Sequence, residues 1–317
     1  MSKMRKAVVT GGTGLIGRRL VERLLEEDWQ VTVLSRNPRA ARDALPHVPQ
    51  ILPWPPTSGE EAIRAIEGSD AIVNLGAAPA FGQRWTRRYR TEMRQSRALG
   101  AQRLVDAIFQ ATSKPAVFVN ASSVGAYGFT TQNSAIVTES TPPDSDEYAR
   151  EVLEAEERAS QAAIAGTRVV NLRTGFVLSH SGGGFPNMVR RFVQTGQGAV
   201  SPGSQYFPWI HLEDAVGLIL WALAAPTPHS VLNVTAPHVP TNGEFFQALG
   251  DVTGRVPARP IHPVLLRAFM GGAAVILARG RRVYPHDALE QGFAFRYATL
   301  QEAFNDLIPR ITHPSKR

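Results

Sequence analysis

Short apolar runs alternate with longer amphipathic stretches through the first half of the chain. The runs Lys6–Thr10, Gln30–Ser35, Ala71–Leu75, Ala116–Ala121 and Arg168–Arg173 are rich in consecutive β-branched and small apolar residues, the pattern of strands buried on both faces. Between them, helical spacing of apolar positions predicts helices at Ile16–Glu27, Glu60–Ile66, Arg97–Ala111 and Tyr148–Ala165, with Leu20, Val21, Leu24 and Leu25 marking one face of the first. Strand alternating with helix predicts an α/β protein, a doubly wound parallel sheet covered on both faces. Ligands of such sheets bind beyond the carboxyl ends of the strands, so the loops after Val9, Leu34, Leu75, Ala121 and Leu172 are expected to share one functional rim.

Past Leu178 the alternation breaks down. Trp209–His211 and Val231–Thr235 read as strands, and Glu213–Ala225, Asn242–Thr253 and Ala298–Leu307 as helices. Gly182–Gly184 and Gly196–Gly203 read as loops, Pro257–Pro263 as an extended linker, and the tail from Pro309 as frayed. The division expected is residues 1–178 as a dinucleotide-binding unit and 179–317 as a smaller C-terminal substrate-binding part, with 209–225 packing back on the first.

The loop Thr10-Gly11-Gly12-Thr13-Gly14-Leu15-Ile16-Gly17 joins the first strand to the first helix. Gly11 would permit the tight turn, Gly14 the approach of backbone to a pyrophosphate, and Gly17 close packing of helix on strand; the helix N-terminus offers unpaired N–H groups to phosphate. This makes the sheet Rossmann-type and implies a dinucleotide. The second strand ends in Ser35-Arg36, with Arg36 standing 19 residues after Gly17, and no acid occurs between Gln30 and Arg42. An acidic residue there would hold the ribose 2′-hydroxyl of NAD, whereas an arginine suits the 2′-phosphate, so NADP(H) is the expected cofactor.

Composition narrows the rest. The chain has 317 residues and no cysteine, which removes disulfides, thiolate metal ligands and a cysteine nucleophile. Its eight histidines show no paired metal-ligand spacing, Ser123 lacks the full nucleophile-elbow pattern, and no loop ends in Gly-Lys-Ser/Thr. The longest apolar stretch, around Val216–Ala225, is too short to span a bilayer, and no secretory leader fits the start, so a cytoplasmic location is expected. The formal net charge is +7, much of it from Arg84, Arg87, Arg88, Arg90, Arg94, Arg97 and Arg103. These read as a solvated helix face or a rim attracting an anionic cofactor or substrate; no nucleic-acid motif accompanies them, so no nucleic-acid partner is expected.

The chain resembles the extended short-chain dehydrogenase/reductases. The glycine loop, Asn74-Leu75-Gly76-Ala77, Asn120–Gly128, Leu172–Gly175 and Trp209–Asp214 carry the resemblance. It is closest to an atypical branch labelled nucleoside-diphosphate-sugar epimerases, also cell-division inhibitors, through Arg84-Trp85-Thr86, Ser96-Arg97, Arg173–Leu178, Ser181–Gly184 and Gln291–Tyr297. The resemblance implies hydride transfer to or from a carbonyl or alcohol carbon of a small molecule, in a monomer or homodimer. Ser123 and Tyr148, 25 residues apart, correspond to its catalytic serine and tyrosine. The branch point is the lysine four residues after the tyrosine, which is Val152 here; no lysine occurs between Lys114 and Lys316. A tyrosine titrates near pH 10 unaided, so a substitute cation, Arg150 or an arginine of the 84–97 segment, or another acid/base is required for turnover at neutral pH. The alternative is an NADPH-sensing interaction protein with little turnover. Together the residues and the resemblance assign to the cofactor Thr10, Gly11, Gly12, Thr13, Gly14, Leu15, Ile16, Gly17, Ser35, Arg36, Leu75, Gly76, Ala77, Arg97 and Arg173.

Overall fold

The computed structural model describes residues 4–54, 59–80, 83–129, 134–224 and 230–313; of residues 61, 62 and 269 only the backbone is described. The strands are β1 (Lys6–Thr10), β2 (Gln30–Ser35), β3 (Gln50–Pro53), β4 (Ala71–Asn74), β5 (Val117–Ser123), β6 (Ile136–Val137), β7 (Arg168–Thr174), β8 (Phe176–Leu178), β9 (Trp209–His211), β10 (Val231–Val234) and β11 (Arg282–Val283). The helices are α1 (Leu15–Glu26), α2 (Pro38–Ala44), α3 (Gly59–Ile66), α4 (Arg87–Gln110), α5 (Glu147–Ser160), α6 (Phe185–Thr195), α7 (Leu212–Ala224), α8 (Asn242–Thr253), α9 (Pro263–Met270), α10 (Ala274–Ala278), α11 (His286–Glu290) and α12 (Leu300–Thr312). No helix among the described residues is long and apolar enough to cross a membrane.

A seven-stranded sheet in the order β10-β7-β5-β4-β1-β2-β3, parallel at every pairing, forms the centre. All its carboxyl ends therefore open on one edge, and the strand order reverses between β1 and β4, where an open α/β sheet forms its ligand crevice. One face is covered by α1, α2 and α7: Val9, Val31, Val33, Val73 and Val119 meet Leu20, Leu24, Val216 and Ile219. On the other face Val8, Ile72 and Phe118 meet Ile66, Leu104, Val105 and Ile108. A second, aromatic core gathers Phe176, Phe185, Phe192, Phe207, Trp209, Phe245, Phe246 and Phe304 from β8, α6, β9, α8 and α12. Two parallel strand pairs, β8–β9 and β6–β11, tie this half to the rim.

Departures from the sequence reading have local causes. The edge strand β3 is masked by Gln50 and Pro53 around a two-residue apolar centre, and proline is tolerated at a sheet edge. The short α2 is set by Asn37, whose side chain accepts the Ala40 N–H, with Pro38 in its first turn. Helix α4 starts at Arg87 rather than Arg97 because its first turns are polar nearly all round, Met93 being buried there, and Thr86 caps them. Residues 161–165 of the expected α5 form a 3-10 turn that ends at Gly166, in the left-handed region. At the other end α12 continues through Pro309 to Thr312 instead of fraying, because Ile308 and Ile311 are buried in the aromatic core. Residues 314–317 and the expected end of α7 at Ala225 lie outside the described residues.

Candidate active site

Along the ends of β1, β2 and β4 runs a cleft of about 1090 Å³. Its floor is the glycine loop. Gly11 has φ +69°, and a side-chain carbon there would stand 2.5 Å from the Leu75 carbonyl oxygen. One on Gly17 would stand 2.2 Å from the Gly11 carbonyl oxygen, so helix α1 can lie this close to the loop only on glycine. On Gly14, which lines the cleft, the same carbon would meet only the Gly11 oxygen within 4 Å, at 3.2 Å, a tight contact but a far milder one. No side chain caps α1, which leaves the N–H groups of its first turn for an anion. These features fit a dinucleotide pyrophosphate.

The rim is held by side chains. Thr10 donates to Asn74 Oδ1 at 2.6 Å and accepts the Gly76 N–H at 3.1 Å. Asn74 donates to Asn120 Oδ1 at 2.8 Å, and Asn120 to Asn171 Oδ1 at 2.9 Å, a buried ladder across β1, β4, β5 and β7. Ser96 of α4 accepts the Ala78 N–H at 3.0 Å, so the turn Leu75–Ala78 is pinned from both sides. Gly12, Thr13, Ser35, Arg36, Leu75, Gly76 and Ala77 all line the cleft. Ser35 exchanges hydrogen bonds with the Asn37 backbone at 3.2 Å, and Arg36 is exposed. Leu15 turns to Gly182 and Gly183 and Ile16 to the first core, so both can offer only backbone. Arg88 and Arg103, two of the arginines read as a solvated face or an anion-attracting rim, line the cleft with the acid Glu92, and so does Arg18, which sequence reasoning did not single out. Arg88, Glu92, Gln95, Leu99 and Arg103 recur at helical spacing on one face of α4, the face turned to the cleft.

A second cavity, of about 220 Å³, lies where β5 ends, and α4 walls both spaces. Ser123 and Tyr148 meet here, with Trp85, Phe129, Phe176 and Phe207 as apolar wall. The Ser123 oxygen accepts the Gly125 N–H at 3.1 Å and so caps the 3-10 turn Val124–Tyr127. Its hydroxyl proton goes to no described residue. Tyr148 packs edge-on against Phe129 at 5.5 Å with the Arg90 guanidinium over its ring at 4.4 Å; its hydroxyl has no hydrogen-bond partner among the described residues. Val152 lines the same cavity, an apolar group where the resemblance has its lysine. Arg150 is exposed and stands outside the cavity lining; the arginines that line the cavity are Arg94, Arg97, Arg279 and Arg281, and Arg90 lies over the Tyr148 ring.

Two residues assigned to the cofactor sit elsewhere. Arg97 lines the second cavity, because its position on α4 turns it away from the face carrying Ser96 and Arg103. Arg173, 4% exposed, is buried beneath the rim: its Nε and a terminal nitrogen donate to Glu156 at 3.0 and 2.8 Å, and its guanidinium lies 4.6 Å over the Tyr127 ring. Burial works against its charge, but the Glu156 pair prevails and raises its pKa. Glu156 also accepts from Ser122, a cavity residue. The role of Glu156 was hidden in the sequence, since nothing local marks one of several acids on α5 as buried. Ser181–Gly183 and His211 line a third, polar groove, whereas Phe207 and Pro208 reach the cavity. His211 stacks on Tyr297 at 3.8 Å, accepts the Glu213 N–H at Nδ1 and lies 3.3 Å from Asp306 at Nε2. Accepting at Nδ1 places the proton of the neutral ring on Nε2, which then donates to Asp306.

The sequence profile of the NAD dependent epimerase/dehydratase family matches residues 7–234. The chain belongs to that family. Residues 263–307 match a domain of unknown function, DUF1731. This epimerase-family chain is 34% identical over 304 residues to the Arabidopsis thaliana protein called epimerase family protein SDR39U1 homolog, chloroplastic, spanning 95% of this chain and 86% of that one. It is 30% identical over 306 residues to the human epimerase family protein SDR39U1, spanning 96% and 99%. The crystal structure of the human protein (isoform 2) with NADPH superposes with a TM-score of 0.83 at 30% identity over 95% of this chain and 98% of that one. The Thermus thermophilus UDP-glucose 4-epimerase complex with NAD, at 20% identity and TM-score 0.75, shares the fold.

Proposed function

We propose that this epimerase-family chain is an NADP(H)-dependent oxidoreductase or epimerase acting on a carbonyl or alcohol carbon of a small molecule. The observation that carries the reading is that Ser123 and Tyr148 face one cavity, each with a hydroxyl unspent on any described acceptor, beside a glycine-loop cleft. The loop from Gly11 to Gly17 would hold the pyrophosphate, and Arg36, with Arg88 and Arg103 across the cleft, would receive a ribose 2′-phosphate. When bound, a nicotinamide cofactor supplies or takes up hydride at the substrate carbon. Ser123 donates its free proton to the substrate oxygen and so stabilises charge developing there. Tyr148 holds or passes a proton at the same oxygen. Val152 contributes no charge to that transfer, so the cavity's arginines supply the positive field. The NADPH-bound human relative supports the cofactor, and the missing lysine favours slow turnover.

The test is hydride transfer from NADPH across a panel of carbonyl compounds by wild type, Ser123→Ala and Tyr148→Phe. Each substitution is expected to lower kcat by about 10²-fold or more, with NADPH affinity changed less than about twofold. Unchanged turnover in both variants would remove the cavity as the reaction site. A second reading, an NADPH-responsive interaction protein, is favoured by Val152 and by the capping role of Ser123; tight NADPH binding with no oxidation by any carbonyl would establish it.

A further inference from the structure

Arg97 lines the cavity with no hydrogen bond or ion pair to any described residue. Burial lowers its pKa, and the charge of Glu151 opposes that shift from a distance. Glu151 is already committed, accepting from Arg90 at 2.7 Å. The contrast with Arg173 is direct, since that buried guanidinium has a carboxylate on two of its nitrogens. A half-buried guanidinium with no hydrogen-bonded carboxylate among the described residues, on the wall of a cavity, points to an anion supplied from outside. Arg281 strengthens the point. Its Nε is buried with no hydrogen-bond partner, while a terminal nitrogen donates to the Tyr127 carbonyl at 3.2 Å and lies 4.0 Å from Asp144.

The rest of the wall defines the body of the ligand. Trp85, Phe129, Val152, Phe176 and Phe207 make it apolar and partly aromatic. At about 220 Å³ the cavity falls below the range of roughly 300–1,000 Å³ common for drug-sized ligands, so it suits a compact molecule and not a whole nucleoside diphosphate sugar. We infer that the cavity takes a compact, largely apolar carbonyl or hydroxy compound bearing one carboxylate, which Arg97 receives. The planar fork of a guanidinium matches a carboxylate with two parallel hydrogen bonds. The inference rests on the cavity being the substrate site.

The test uses benzoate and benzamide, a matched pair differing in charge, titrated by calorimetry into the full chain with and without NADPH. Benzoate is expected to bind about tenfold or more tightly than benzamide, the range of a charge-assisted hydrogen bond. In Arg97→Gln the preference should vanish, with NADPH affinity unchanged and Tm no lower than wild type, because no hydrogen bond or ion pair to a described residue is lost. Arg97→Lys should keep part of the preference. Equal binding of the two probes by wild type, absence of binding by benzoate, or a preference intact in Arg97→Gln would each overturn the inference. Turnover is read separately, with phenylglyoxylate and its methyl ester as carbonyl substrates. An ester reduced as well as the acid removes the Arg97 anchor and leaves the oxidoreductase reading standing; benzoate preference without any turnover does the reverse.

Discussion

Gly14 and Gly17 belong to one loop but are glycine for different reasons. A side-chain carbon on Gly17 collides with the Gly11 carbonyl oxygen at 2.2 Å, an internal clash, whereas one on Gly14, a residue of the cleft lining, stands 3.2 Å from that oxygen. Gly17→Ala should therefore destabilise the fold by roughly 1–3 kcal/mol or more in urea unfolding. Gly14→Ala should cost less stability than Gly17→Ala and weaken NADPH binding at least about tenfold in a calorimetric titration. Both positions were legible in the sequence because their spacing carries the geometry. His211 was not legible in the same way, since its partners Tyr297 and Asp306 come from far along the chain. Burial pushes its pKa down to about 4, against the pull of Asp306. The unfolded chain takes up a proton near pH 6.5 while the folded one resists until about pH 4. The stability carried by the neutral ring is therefore complete above pH 6.5 and is lost as pH falls toward 4, on the order of 3 kcal/mol. Unfolding free energies of wild type and His211→Asn between pH 7.5 and 4.5 check this: the difference between them should shrink as pH falls, and a constant difference would refute it.

Helix α7 links α1 to the segment that precedes α12. Its first turn sends Glu213 to Arg19 of α1 at 2.8 and 3.0 Å and Asp214 to the backbone N–H groups of Arg296 and Tyr297, both at 2.9 Å. The stretch Gln291–Tyr297, picked out in the sequence by resemblance alone, thus has a physical anchor. Asp214→Ala leaves those two N–H groups unpaired and should cost about 2–5 kcal/mol in urea unfolding, with proteolysis near residue 296 as the local readout; a loss below about 1 kcal/mol would contradict the anchor. Strand and helix periodicity exposed most of the central sheet because those segments are buried on both faces. It missed β3, α2 and the first turns of α4, where polar residues face solvent or the cleft and no apolar stripe forms.

At the scale of the molecule, both halves build the site. The glycine loop, Ser35, Arg36, Ser123 and Tyr148 come from the part organised by the sheet, while Phe207, Ile276 and Arg281 close the cavity from the part organised by the aromatic core. The first group could be read from local motifs. The second could not, because those residues acquire meaning only when β8–β9 and β6–β11 bring them to the rim. The buried Arg173–Glu156 pair shows the same limit, since a motif position supplied the arginine but only the packing of α5 on β7 supplied its partner. Calorimetric titration of wild type and Arg36→Asp with NADPH and NADH tests most directly the proposal that the cleft takes a dinucleotide carrying a 2′-phosphate. NADPH should bind wild type at least about tenfold more tightly than NADH, and Arg36→Asp should erase that preference by weakening NADPH. Equal affinity for the two cofactors, or binding of neither, would contradict the account.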